Sequence, residues 1–140
     1  MLDKIEVEII GNGPLKGYIK KNIPFAKFLD SISNEQLLNT MKNNDIFISP
    51  TLFEGFGLTL SEAMSQGALV MTTKNTFLGD LKSKNIFIEI DINNINKIIY
   101  DINKLIKKPS LLKKIAVRGI RYAKSNSWEK YRRNVIKEIY

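Results

Sequence analysis

The feature that most constrains the fold is an alternation of short apolar runs with stretches of helical spacing. IEVEIIG (5–11), FAKFL (25–29), DIFIS (45–49) and ALVMTT (68–73) each read as a strand, and NIFIEI (85–90) as a weaker one. Apolar runs of this length, without strict alternation, suit strands buried on both faces of a sheet. The segments between them carry helix signals. Pro14 suits a first helical turn and leads a short helix to about Asn22. Ser33 and Gln36 have the spacing of a capping box and open a helix to about Asn43. LTLSEAMSQ (58–66) follows a glycine-rich turn and meets Gly67, a C-terminal stop. Strand–helix alternation predicts βαβ units, hence an α/β fold with a parallel, Rossmann-like sheet flanked by helices. In such sheets ligands bind beyond the carboxyl ends of the strands. That rule gathers the GNG turn, the loop after Phe28, the EGFG turn and the loop after Thr73 on one edge.

From Asn93 onward the pattern is helical only. INKIIYDINKLI stops before Pro109, SLLKKIAVRGIRYAK follows, and Asn126 with Glu129 has capping-box spacing before a last helix, SWEKYRRNVIKEIY. The apolar stripe Tyr131, Val135 and Ile139 of that helix is expected to be an association surface. The chain is expected to form a single domain over residues 1–140, with a helical C-terminal tail.

The chain has no cysteine and no histidine, which excludes disulfides, zinc fingers and histidine-based triads. Acid–base chemistry is left to Asp, Glu, Lys, Tyr or the substrate. MLDKIEVEII lacks the long apolar core of a signal peptide, and no run of about 18 apolar residues occurs, so a cytoplasmic protein is expected. The net charge of +8 is uneven: residues 96–140 hold 13 Lys and Arg against Asp101, Glu129 and Glu138. Three readings of that basic region stand: solvated helix faces, contact with an anionic membrane, or nucleic acid. No nucleic-acid recognition motif is present, and aromatic residues do not interleave with the basic ones in a stacking pattern.

Two glycine turns are candidates for chemistry. GNGPLKG places Gly11, Gly13 and Gly17 one residue too far apart for a dinucleotide fingerprint, with Asp30 the one acid placed to end a second strand. The match is weak, and a tight turn into a helix accounts for these glycines better. The second turn lies in LFEGFGLTLSEAMSQGALV (52–70), where Glu54 and Glu62 flank Gly55-Phe56-Gly57. Glycines before a helix leave its first amides bare, and those amides suit a phosphate or diphosphate. A carboxylate accepts two hydroxyl protons at once, so Glu62 could grip a ribose diol and Glu54 the hydroxyls of a group on the far phosphate. The alternative is structural: acids favour helix starts, and Phe53 and Phe56 could serve packing alone.

Glu54 to Gly67 resembles, over 14 positions, the E-x7-E motif E-G-F-G-L-x-x-x-E-A-M-A-x-G of retaining glycosyltransferases, family 4 above all. The context is similar too. ALVMTT resembles the family's P-V-V-A-T, GNGP its G-x-G-P, Phe28-Leu29 its base-contacting strand end, and Ser127-Trp128 its S-W before the last helix. The resemblance implies the C-terminal, donor-binding half of a GT-B fold. It implies that Glu62 holds ribose and Glu54 the donor sugar. Gly55, Phe56, Gly57 and Leu58 would line the diphosphate turn, and Gly13, Phe28 and Leu29 the nucleotide. It further implies metal-independent, retaining transfer from a nucleotide diphosphate sugar, with no cofactor. Relatives that build glycans on lipid-linked acceptors suit the membrane reading of the basic region.

Two departures follow from the same resemblance. The family's diphosphate-neutralising Arg and Lys lie upstream of the G-x-G-P strand, at which this chain begins. The family's G-G-x-P-E is here Asn75-Thr76-Phe77-Leu78-Gly79-Asp80, with Asp80 in place of its Glu. The expectation is a fragment that lacks its first strand and the N-terminal acceptor domain. A partner domain or chain would complete it; otherwise it is a non-catalytic binding module of the same fold.

Overall fold

A computed structural model of the chain describes residues 5–54, 57–76, 78, 81, 84–126, 130, 133, 136 and 137. Gly55, Phe56, Asp80, Trp128, Glu129, Tyr131, Val135 and Ile139 lie outside the described residues, and with them most of the expected last helix. The chain divides into two compact units, Met1–Leu37 and Leu38–Tyr140.

In the first unit, strand β1 (Glu8–Ile10) pairs in parallel with β2 (Lys27–Leu29) across helix α1 (Lys16–Asn22). This is one βαβ crossover, as the alternation predicts. Ile9 faces Phe28 and Ile10 faces Leu29 in the register. The Gly11 amide, donating to Leu29 O at 3.0 Å, carries the ladder one step further. Gly11 then turns the chain at φ 139°, a conformation that favours glycine. Helix α1 starts at Lys16, two residues past Pro14, because residues 14 and 15 are taken up by the turn in which Lys16 N bonds Gly13 O. Lys20 and Lys21 in its last turn complement the helix dipole. The capping box forms as its spacing predicts: Gln36 N donates to Ser33 Oγ at 3.2 Å, and Ser33 N to Gln36 Oε1 at 2.9 Å. It opens α2 (Asn34–Asn43), which ends in the second unit.

The second unit holds a parallel sheet of β3 (Ile46–Ser49), β4 (Leu69–Thr72) and β5 (Ile88–Glu89), in the order β3-β4-β5. All four residues of β4 are fully buried, as an apolar run in a central parallel strand requires. Leu69 and Met71 join Ile90, Leu105 and Ala116 in the core. Around them pack residues of α4 (Ile95–Lys107) and α5 (Pro109–Ser125): Ile98, Ile102, Leu111, Leu112 and Ile115. Fully burying an aliphatic side chain such as Leu69 or Leu105 is worth about 1.5–3 kcal/mol, so this cluster contributes substantially to the stability of the unit. Strand β5 shortens to two residues. Asn85 before it adopts a left-handed φ of 49°, and Ile86 and Phe87 are buried without joining the ladder.

Helix α3 (Leu58–Gln66) spans the stretch its pattern predicts. It ends in a Schellman motif: Gly67 N donates to Met64 O, and Ala68 N to Ala63 O, both at 3.1 Å. Gly67 sits at φ 98°. Helix α5 crosses α3 closely, and a Cβ on Gly119 would stand 3.3 Å from Met64 Cγ. Among the described residues no helix is long and apolar enough to cross a membrane.

Candidate donor site at the start of α3

The site lies at the C-terminal edge of the β3-β4-β5 sheet, where the parallel-sheet rule puts it. Two loops meet there, residues 50–54 after β3 and residues 73–76 after β4. Their contacts come from short polar side chains at the strand ends. Thr72 Oγ1 donates to Ser49 O at 2.9 Å and Thr73 Oγ1 to Thr51 O at 2.7 Å. Asn75 Nδ2 donates to Leu52 O at 2.8 Å, and Glu54 N donates back to Asn75 O at 3.2 Å. Thr72 and Thr73 are buried, so these bonds also satisfy hydroxyls that would otherwise be costly.

Gly57 leads α3 with a left-handed φ of 58°, is buried, and as a glycine has no side chain with which to cap the helix. Among the described residues no side chain caps the start of α3. Gly57 O accepts from Leu60 N and Ser61 N, which leaves the Leu58 and Thr59 amides without an acceptor among the described residues. Bare amides at the positive end of a helix are suited to an anion.

Glu62 is half-buried on α3, about 6 Å along the axis from Leu58 at 1.5 Å per residue. It lies beyond the first turn, where the dipole would favour an acid, so capping electrostatics do not account for it. Glu54 is half-buried on the first loop. Neither carboxylate has a hydrogen bond or ion pair among the described residues. Phe53 is 82% exposed, so the packing role open to it in the sequence is not the one it has. Leu58 begins α3 and is partly exposed.

The remaining site candidates belong to the first unit. Gly13 is exposed in the turn after β1, and Phe28 and Leu29 are half-buried on β2. The Lys20 ammonium lies 5.8 Å from the centre of the Phe28 ring. Asp30, the acid at the end of β2, is held in an ion pair by Lys16. Sequence reasoning placed the loop after Thr73 at this edge but gave no role to the side chains of Thr72, Thr73 and Asn75. Their signal was present: hydroxyl and amide side chains crowd the end of an otherwise apolar strand, in TTKN.

The chain resembles known proteins over most of its length. It is 33% identical over 63 residues to the GDP-mannose-dependent alpha-mannosyltransferase of Corynebacterium glutamicum, covering 45% of this chain and 15% of that protein. It is 27% identical over 127 residues to O-antigen chain mannosyltransferase B of Escherichia coli, covering 91% of this chain and 31% of that protein. The chain thus spans a third or less of these relatives. Two solved structures share the fold. HepE of Anabaena in complex with UDP-glucose matches with TM-score 0.75 and 18% identity over 88% of this chain and 37% of its own. WaaG, a glycosyltransferase involved in lipopolysaccharide biosynthesis, matches with TM-score 0.70 and 17% identity over 87% of this chain and 34% of its own. The family model for glycosyl transferases group 1 matches residues 1–125. By that match, which spans both units and the loops just described, the chain belongs to the glycosyl transferases group 1 family.

Proposed function

We propose that this chain is the donor-binding, C-terminal part of a retaining glycosyltransferase of the family 4 type, taking a nucleotide diphosphate sugar. The observation that carries the reading is the start of α3: an uncapped, glycine-led helix N-terminus with Glu54 before it and Glu62 beyond it, neither carboxylate engaged among the described residues. The amides of the turn, with Gly55, Phe56, Gly57 and Leu58, hold the diphosphate. Glu62 accepts two hydrogen bonds from the ribose diol. Glu54 accepts from hydroxyls of the donor sugar. Gly13, Phe28 and Leu29 line the nucleotide. No metal or other cofactor takes part, because the amides and added cations neutralise the diphosphate instead.

Those cations come from elsewhere in this reading. Lys74 is the one cation between residues 45 and 81. Each charge-assisted hydrogen bond that is lacking forfeits roughly 1.5–3 kcal/mol. A further strand and helix of the donor-binding half supply them, and an N-terminal acceptor-binding domain, in the same polypeptide or as a partner chain, completes the enzyme. The strand is supported by an open edge: among the described residues β3 pairs only with β4, and Ile48 on it is exposed. Without that partner the chain binds donor and does not transfer. The same reading keeps the protein in the cytoplasm against an anionic membrane surface, supported by the basic charge of α4 and α5.

The test is thermal stabilisation of the 140-residue chain by UDP, GDP, ADP and their sugars, with EDTA present throughout. A ligand at 100 times its dissociation constant adds about 2.7 kcal/mol to stability. Stabilisation by one nucleotide, lost in Glu62→Ala, is the expected result and names the base. No stabilisation of a folded chain by any of them at millimolar concentration refutes donor binding by this chain.

A further inference from the structure

We infer that Thr73 and Asn75 form a latch that positions the Glu54 carboxylate and so sets how the site reads the donor sugar, separately from how it reads the nucleotide. The inference rests on the donor-site reading above. It starts from an asymmetry in what carries the two acids. Glu62 is fixed by α3, a regular helix with buried Leu60, Ala63 and Met64 and a closed C-terminal cap. Glu54 has no such support. It stands on a loop after Pro50 in which Leu52 and Phe53 are exposed and contribute no packing. Among the described residues 50–54 no apolar side chain is buried, so hydrogen bonds are what hold this part of the loop.

Those bonds come mainly from one place. Thr73 Oγ1 holds Thr51 O, Asn75 Nδ2 holds Leu52 O, and Asn75 O receives the amide of Glu54 itself. Thr51, Leu52 and Glu54 are thus tied to one segment of the neighbouring loop. Among the described residues of the first loop the one further bond is local, from Thr51 Oγ1 to Phe53 O at 2.9 Å. The anchor end is rigid: Thr73 is buried and follows directly from β4, and Thr72 is tied to Ser49. Thr73 and Asn75 are therefore positioning residues. They touch the loop that carries Glu54, and Glu62 is fixed without them.

The separation makes the latch testable. Thr73→Val keeps the side-chain volume and removes the donor, Thr73→Ser keeps the donor, and Asn75→Ala removes the amide. Hydrogen exchange of the peptide covering residues 50–54 is measured first, since it requires no ligand. Faster exchange in Thr73→Val and Asn75→Ala, restored in Thr73→Ser, is expected; unchanged exchange in all three overturns the latch. Affinities for the nucleotide and for its sugar conjugate are then compared. The extra affinity conferred by the sugar is expected to fall about threefold to tenfold in Thr73→Val and Asn75→Ala, the effect of one lost hydrogen bond. Affinity for the bare nucleotide is expected to stay within twofold. Loss of both affinities in parallel assigns the residues to general stability and overturns the positioning role. Absence of nucleotide binding in the wild type, with the exchange result intact, refutes the donor reading and the sugar role of the latch together, leaving only its mechanical part.

Discussion

Replacing Gly67 by alanine gives the most direct test of how α3 is built. Gly67 has φ 98°, where an L-residue is strained. The left-handed region costs such a residue about 1–2 kcal/mol. A new Cβ would not add a clash, because its nearest neighbour is Ile120 Cδ1 at 3.7 Å, an ordinary contact. The chain could escape the strain only by giving up the two cap bonds at 3.1 Å, each worth about 1 kcal/mol, so either route leads to a similar loss. The alanine also stiffens the unfolded chain, which returns about 0.4–1 kcal/mol. The net expectation is a loss of about 1 kcal/mol. Taking about 2.1 cal/mol/K of unfolding entropy per residue over 140 residues, that lowers Tm by about 3 °C. Urea titration followed by circular dichroism gives the free energy, with Gly67→Asn as the control that tolerates a left-handed backbone better. Gly13→Ala serves as a second control. Gly13 has no positive φ and nothing lies within 4 Å of its would-be Cβ, so its stability should hold or rise slightly. If Gly67→Ala is as stable as wild type while Gly67→Asn is less so, strain at the cap is not what fixes the end of α3.

Two further outcomes are expected. The membrane reading predicts co-sedimentation with vesicles containing anionic phospholipid and not with neutral ones; Lys104→Gln, Lys107→Gln and Lys108→Gln together should weaken it, and equal binding to both vesicle types would refute it. Burial raises the pKa of Tyr122 above its ordinary value of 10.0, so the folded state favours the neutral phenol. The stability this contributes is complete below pH 10 and is lost as pH rises through the folded-state pKa. Tyr122→Phe should therefore be less sensitive to alkali than wild type as pH rises above 10, read as Tm against pH; an identical alkaline profile would remove Tyr122 as a cause.

Local chemistry determined much of this protein. The Ser33–Gln36 box, the Gly67 stop and the apolar run of β4 act over a few residues, so their spacing in the chain was enough to fix α2, α3 and the buried central strand. The uncapped start of α3 was legible for the same reason, since a glycine there leaves amides bare whatever surrounds it. What the tertiary structure decided depends on partners distant in the chain. Lys16 pairs with Asp30 because β1 and β2 lie side by side, which makes the acid at the end of β2 half of an ion pair. Phe53 reads as a core residue by type, yet it is exposed, because the loop that carries it is held by Thr73 and Asn75 and not by packing. Those bonds join residues 22 or 23 positions apart in the chain. No local pattern encodes them. They arise because parallel pairing brings the ends of β3 and β4 to the same edge, and there the buried hydroxyl of Thr73 and the amide of Asn75 find their acceptors on the neighbouring loop.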